Sequence, residues 1–236
     1  MLFPEWVHYL RDCEREQIEV ILKLIEGNNS RILEIGSGDG YMSYKLQEKG
    51  FNVIATDPNP RKPLFPMYQM NGEDLKFKDN MFDVVFSSNV LEHIVNLPKT
   101  FSEMKRVIKN DGMIIHTIPT VSCCILTYII NPIAYFRDII KVISQKQHIT
   151  LKQFNPLKYM KGKHGTSRSV FNSLVKWRRK VWKRIFKEND LEIKKIYRIP
   201  FFNSMHKVFP FRFMKFRKNI GRKLGSTDIY ILKRCL

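Results

Sequence analysis

At 236 residues and 44% apolar content, the chain is long enough for one domain with a sizeable core. Its charge is lopsided: residues 1–136 hold 14 Lys and Arg against 17 Asp and Glu, and residues 137–236 hold 27 against five, so the formal +19 belongs to the second part. That balance asks for nucleic acid or anionic lipid as partner, or else marks a plain basic enzyme. The four cysteines (Cys13, Cys123, Cys124, Cys235) have no Cys-x-x-Cys spacing, which fits a reducing compartment and argues against structural zinc, and the start lacks a basic n-region, which predicts no signal peptide.

Residues 5–26 set Trp6, Tyr9, Leu10, Ile18, Ile21, Leu22 and Ile25 at helical spacing, with Gly27 and Asn28 as the C-cap. A short apolar strand follows (Ile32, Leu33, Ile35) and runs into Gly36, Gly38 and Gly40, then a helix with Tyr41, Tyr44 and Leu46 as its apolar residues. Glycine lets a backbone approach a ligand closely, and the turn opens onto a helix N-terminus with free N–H groups. This is the nucleotide-binding corner of an open α/β sheet. A dinucleotide fingerprint needs Gly-x-Gly-x-x-Gly; here the third glycine comes one residue early and Tyr41 stands in its place. The next strand, Asn52 to Asp57 before Pro58, puts an acid beside the glycine turn. Asp57 either accepts hydrogen bonds from both hydroxyls of a ribose or closes a turn.

Glu34-x-Gly36-x-Gly38-x-Gly40 resembles the first motif of class I S-adenosylmethionine (SAM) methyltransferases, and residues 71–93 resemble the run in small-molecule enzymes of the ubiquinone and menaquinone type. The resemblance is close over residues 30–120 and looser over 180–200 and 226–234. It implies a Rossmann-like, mostly parallel seven-stranded α/β sheet of order 3-2-1-4-5-7-6 with helices on both faces. It also implies an N-terminal helix (1–29) lidding the cofactor, a SAM-binding core (30–120), a substrate-side insertion (121–170) and a C-terminal part (171–236). Matched to the family, Phe82 to Ser87 is the fourth strand, Leu97 to Ile108 a helix, Lys109 to Gly112 its turn and Met113 to Ile118 the fifth strand. SAM is then the implied cofactor, held by Glu34, Gly36, Ser37, Gly38, Gly40, Asp57, Pro58, Asn71, Gly72, Glu73 and Asn89. Asn71 stands where the family usually has Asp; its carbonyl oxygen can still accept from the adenine amino group, or Glu73 or Asp74 takes that task. Metal-dependent relatives carry Glu-x-x-Glu-His here, whereas Asn89 replaces the first carboxylate, so no metal site is expected.

Val121 to Phe136 is apolar throughout but too short to span a bilayer and is interrupted by Asn131-Pro132. It reads as a buried helix pair, a lid over the substrate, or an interfacial segment flanked by Arg137 and Lys141. Residues 137–170 form a Lys-rich insertion. Val170 to Lys187 reads as one helix with Phe171, Leu174, Val175, Val181, Trp182, Ile185 and Phe186 on its apolar side. Leu191 to Tyr197 and Thr227 to Lys233 fit the last two strands, and Pro200 to Lys223 between them interleaves Phe with Lys and Arg.

Methyl transfer from a sulfonium needs alignment of donor and acceptor and, for a hydroxyl acceptor, removal of a proton. His93, Glu92, His116 and His164 are the candidate bases, and His116 lies inside the fifth strand, where a histidine is more often core than catalytic. Three functions follow. The first is O-methylation of a small-molecule, glycan or lipid-linked acceptor by a cytoplasmic enzyme that can be peripheral to an anionic membrane. The second is RNA methylation, weakened by the lack of an Asn/Asp-Pro-Pro-Tyr motif or paired catalytic cysteines. The third is a non-catalytic SAM-binding scaffold.

Overall fold

Alternation along the first strand decides the layering. In β1 (Arg31–Ile35), Ile32 points into one hydrophobic cluster while Leu33 and Ile35 point into another, so both faces of the sheet are buried. The computed structural model describes residues 14, 17–25, 30–60, 62–144, 166, 170–199, 219 and 224–235. Around β1 lie α1 (Tyr41–Gln47), β2 (Asn52–Asp57), β3 (Met67–Gln69), β4 (Phe82–Ser88), α2 (Leu97–Val107) and β5 (Ile108–Pro119). Then come α3 (Val121–Ser144), α4 (Val170–Lys176), α5 (Arg179–Glu188), β6 (Leu191–Ile199) and β7 (Thr227–Arg234). The sheet has the order β3-β2-β1-β4-β5-β7-β6, with β7 antiparallel to both neighbours, which is the Rossmann-like topology that the motifs imply.

One face is covered by helical residues 17–22 (Ile18, Ile21) and α1 (Met42, Leu46), packed on Ile32, Val53, Ala55 and Phe86. The other is covered by α2 (Phe101, Met104) and α5 (Trp182, Phe186), packed on Leu33, Val85, Ile114 and Leu232. A register shift between Phe82 and Val84 lets Phe82 and Val85 share one face while Val84 and Phe86 take the other.

Ile108 pairs with Phe82 and Met113 with Val84, so Lys109 to Gly112 loop out of the ladder as a turn within β5, and a Cβ at Gly112 would come within 2.5 Å of the Ile108 side chain. Three local expectations are corrected. Tyr44 is exposed and Met42 takes its place in the core, because α1 is short and turns its other side to the sheet. The apolar run after β5 is one 24-residue helix that passes through Pro132 rather than a pair. Pro132 is exposed and, having no N–H, leaves the Tyr128 carbonyl without its helical donor. Finally, the expected helix over 170–187 breaks at Trp177–Arg178. Arg178 is extended (φ −67°, ψ 134°) and caps α5, Trp177 is buried at the joint, and Phe171 and Val175 are left exposed. Of the expected insertion over 137–170, residues 145–165 and 167–169 lie outside the described residues, as does the aromatic-basic stretch over 200–223 apart from Asn219.

The break also frees Arg179 for a partner. Its Nε and Nη2 donate to the two carboxylate oxygens of Asp228 at 2.6 and 2.7 Å, and Arg198 Nε donates to the same carboxylate at 3.0 Å. Asp228 is buried at the start of β7, so this fork ties α5 to β6 and β7. Asp228→Ala is expected to destabilise the fold by about 2 kcal/mol, below the figure for a fully buried pair because both guanidiniums stay partly in water. Urea denaturation at neutral pH measures it.

Candidate active site

The β1–α1 turn is built from three glycines, all left-handed: Gly36 at φ 72°, Gly38 at 61° and Gly40 at 80°. One carbonyl anchors it. Thr56 O, one residue from the end of β2, accepts from Gly36 N (2.8 Å), Ser37 N (2.9 Å) and Ser37 Oγ (3.2 Å). Two of the glycines are forced by neighbours: a Cβ on Gly36 would strike Val90 at 2.5 Å, and one on Gly40 would strike Phe65 at 2.7 Å. Gly38 differs, since a Cβ there meets nothing within 4 Å. Its side borders open space, while its N–H donates to Asp57 Oδ2 at 2.9 Å. Asp57 Oδ1 accepts from Asn59 N at 2.8 Å, leaving lone pairs on both oxygens for a ligand. Pro58 is exposed beside it, and its carbonyl accepts from Gln69 Nε2.

Glu34 is fully buried under α1, where Ser43 Oγ donates to its carboxylate. Burial pushes its acid up to about 8, with the nearby Glu14 and Asp39 charges adding to the shift and the Ser43 bond opposing it.

The loop after β3 is strapped to α2. Arg106 donates to the carbonyls of Leu75 and Phe77 (both 2.7 Å), to Asp79 and to Glu103, and Glu103 in turn accepts from Leu75 N. Within the loop, Asn71 Oδ1 accepts from Glu73 N at 3.2 Å, so its amide is partly engaged in its own turn. Glu73 accepts from Asn96 N at the start of α2. Gly72 is buried, and a Cβ there would press on Ile35 at 3.0 Å.

At the carboxyl end of β4 the chain turns sharply. Asn89 adopts φ 53°, held by its N–H donating to the carbonyl and hydroxyl of Thr117. Its Oδ1 is buried and has no hydrogen-bond partner. A single-turn 3₁₀ helix, Leu91–His93, follows. Glu92 is buried with both carboxylate oxygens unpartnered, and burial pushes its acid up to about 8. His93 is exposed, with Nε2 3.9 Å from Glu92 Oε1, and burial of its inner part and the Lys176 charge hold it below the ordinary imidazole range. Lys176 at the end of α4 bonds the Thr166 hydroxyl, and Thr166 N donates to the Glu92 carbonyl at 2.9 Å. The structure thus brings Glu92 and His93 together, and His164 lies outside the described residues. His116 is a core residue: Ser87 Oγ lies 2.7 Å from its Nδ1, it stacks on Phe186, and burial holds it down at about 3. Among the described residues no three His, Cys, Asp or Glu side chains converge as a metal set would.

Sequence reasoning missed Gln17, Arg106 and Lys176. Gln17 Oε1 accepts from Ser88 Oγ at 2.6 Å and Thr117 Oγ1 donates to Ser88 Oγ, which pins the N-terminal helical segment over the end of β4. A lone Gln in a helix carries no signal of that. A cavity of about 600 Å³ lined by Lys183, Lys187, Lys194, Lys195 and Cys235 runs along the amino-terminal part of β6, away from the carboxyl edge where the glycine turn lies.

The open space beside Gly38, the remaining lone pairs of Asp57 and the orphaned Asn89 Oδ1 fit a nucleoside sulfonium: a ribose on the carboxylate and a positively polarised group facing the amide oxygen. The model of a family described as a methyltransferase domain matches residues 7–196. An uncharacterized protein of Methanocaldococcus jannaschii is 31% identical over 145 residues, which is 57% of this chain and 63% of that one. An uncharacterized methyltransferase of Mycobacterium leprae is 32% identical over 94 residues, 36% of this chain and 35% of its own. The chain therefore spans between about a third and just under two thirds of these relatives. Among solved structures, a putative methyltransferase of Haloferax volcanii, in complex with the Trm112 activator, has a TM-score of 0.60 at 14% identity, covering 96% of this chain and 92% of that one. Geranyl diphosphate C-methyltransferase of Streptomyces coelicolor, solved with S-adenosyl-L-homocysteine, has a TM-score of 0.56 at 12% identity, covering 97% and 83%. Those two likenesses concern the fold; the family match covers most of the chain, and with it the chain belongs to the methyltransferase-domain family of class I SAM-dependent methyltransferases.

Proposed function

We propose that this methyltransferase acts on an oxygen of a small-molecule, glycan or lipid-linked acceptor, with Glu92 taking the hydroxyl proton. The observation that carries the reading is the buried, unpartnered Glu92 carboxylate just past the end of β4. SAM supplies an electrophilic methyl on a sulfonium. The chain's own residues do the rest. Asp57 receives ribose hydroxyls, the Gly36–Gly40 backbone lets the ligand lie close, and Asn71 with Gly72 borders the adenine. Gln17 and the helical segment around it screen the β4 end from water. An acid held near 8 can accept a proton from a hydroxyl whose oxygen is becoming bonded to carbon, because base strength and ambient pH are then matched. His93, close to Glu92 and more exposed, can pass that proton outward.

Asp57→Ala is expected to weaken S-adenosylhomocysteine binding about tenfold or more, since two hydrogen bonds to a charged acceptor are lost. Isothermal titration calorimetry reads it, and an unchanged Kd would remove Asp57 from the site. Gly38→Val should fold with a strain of roughly 1–3 kcal/mol and lose cofactor binding altogether, because its side chain enters the open space beside the turn. Thermal shift with and without S-adenosylhomocysteine separates the two effects.

For Glu92→Gln, transfer of tritiated methyl from SAM to a cell lipid and glycan extract is expected to fall about 100-fold or more. The wild-type rate should rise with pH towards about 8, and the variant should lose that limb. Label on oxygen is recognised as alkali-stable methyl released by hydriodic acid. Label on RNA or on nitrogen, or full activity in Glu92→Gln, would sink this reading. Stability moves with a defined sign. The native acid keeps its proton up to about 8 while the unfolded one loses it near 4.5, so wild type should lose stability relative to Glu92→Gln as pH rises through that window.

A further inference from the structure

We propose that one face of α3 is a membrane-docking element that lies in the interface of an anionic bilayer. Ile125, Ile129, Ile133, Phe136 and Ile140 are 45%, 56%, 50%, 63% and 66% exposed. Their spacing of four, four, three and four residues puts them within about 80° of the helix circumference, over a helix about 36 Å long. Solvent-exposed apolar side chains scattered singly need no explanation, but five aligned on one helix do.

The sheet cannot take this stripe. One of its faces is already covered by the N-terminal helical segment and α1, the other by α2 and α5, and both cores are closed by fully buried side chains. Among the described residues, no helix is long and apolar enough to cross a membrane, so α3 lies along a surface rather than through it. Charge selects the surface. The stripe contains no ionisable residue, yet the chain leaving α3 carries Lys146, Lys152, Lys158, Lys161 and Lys163 with no Asp or Glu through residue 165. Residues 137–236 carry 27 Lys and Arg against five acids. An apolar strip on a strongly basic half is complementary to anionic headgroups over an acyl layer, and each cation near such a surface adds to the attraction. An apolar protein partner or a second copy would gain nothing from that charge, and a second copy would suffer from it.

The position of α3 gives the docking a use. The helix starts at Val121, two residues after β5 ends at Pro119, and Thr120 is fixed to the start of β7 through Ser226 and Gly225. It therefore leaves the carboxyl edge of the sheet, where Asp57, Asn89 and Glu92 sit. The inference holds for any methyl acceptor, but an amphiphilic one in the same bilayer would be delivered to that edge.

The test is sedimentation of the full chain with vesicles of phosphatidylcholine and phosphatidylserine, against phosphatidylcholine alone, at low salt. Wild type should pellet with the mixed vesicles only. The double variant Ile129→Glu, Ile133→Glu should partition at least tenfold less while binding S-adenosylhomocysteine as wild type does. Ile133→Trp, which keeps the stripe apolar, should be quenched by brominated phospholipid in mixed vesicles, and this reading stands even if the double variant fails to fold. Failure of wild type to pellet overturns the proposal. So does undiminished binding by a folded double variant, absence of quenching, a wild-type dimer made monomeric by the double substitution, or tight RNA binding in a gel shift without vesicle binding.

Discussion

The site depends on one carbonyl group. Thr56 O, near the end of β2, takes three donors from the glycine turn that follows β1, and no other backbone group ties that turn to the sheet as closely. Because the two strands are parallel and in register, with Ile35 opposite Thr56, the anchor also brings Asp57 under the Gly38 N–H. The turn can accept the anchor only with positive φ at three positions, which is why glycine recurs at every second residue. The constraint then passes to β4. Val90 fills the space that a side chain on Gly36 would need, and Asn89 turns left-handed so that Val90 can reach it. Glu92 and His93 are placed by that same turn.

Three ionisable groups near this turn are buried, and each is driven to its neutral form. Glu34 and Glu92 hold protons up to about 8, and His116 refuses one down to about 3. Two of the three have a serine as hydrogen-bond partner: Ser43 for Glu34 and Ser87 for His116. Glu92 has none for either oxygen. An unsatisfied buried polar group costs about 1–3 kcal/mol. A fold that bears this cost at the end of β4, while satisfying the chemically equivalent Glu34 a few residues away in the sheet, concentrates its polar mismatch where a ligand can relieve it.

Much of this was legible in the sequence because the cofactor corner is written in backbone requirements. Gly36, Gly38, Gly40 and Asp57 are identifiable by spacing alone, and so is the strand order once the family resemblance is granted. What failed to show were features set by tertiary contact. β3 is three residues long, too short for any period to register. α3 runs through Pro132 because the exposed side of a helix tolerates the missing donor. The break between α4 and α5 follows from the buried Trp177 and from the ion pair of Arg179 with Asp228, residues 49 apart. Gln17 and Arg106 act through bonds to residues 71 and about 30 positions distant, and nothing local marks them.

The positive charge has two different origins. Sheet edges need protection from pairing with other chains, and the short β3 and the lysine-bearing β6 supply it: Lys194 and Lys195 stand on an edge strand above a cavity also bordered by Lys183 and Lys187 of α5. That accounts for the lysines of β6 without any partner. It does not account for residues 145–165 and 200–223, which together carry twelve Lys and Arg and no Asp or Glu. The first stretch follows α3. The second joins the end of β6 to the start of β7, and those ends pair with each other and with Pro119 at the carboxyl edge. Thr166, just past the first stretch, donates its N–H to the Glu92 carbonyl on that same side. Edge protection places charge along the edge strands, so it gives no reason for twelve cations in two stretches that belong to neither β3 nor β6.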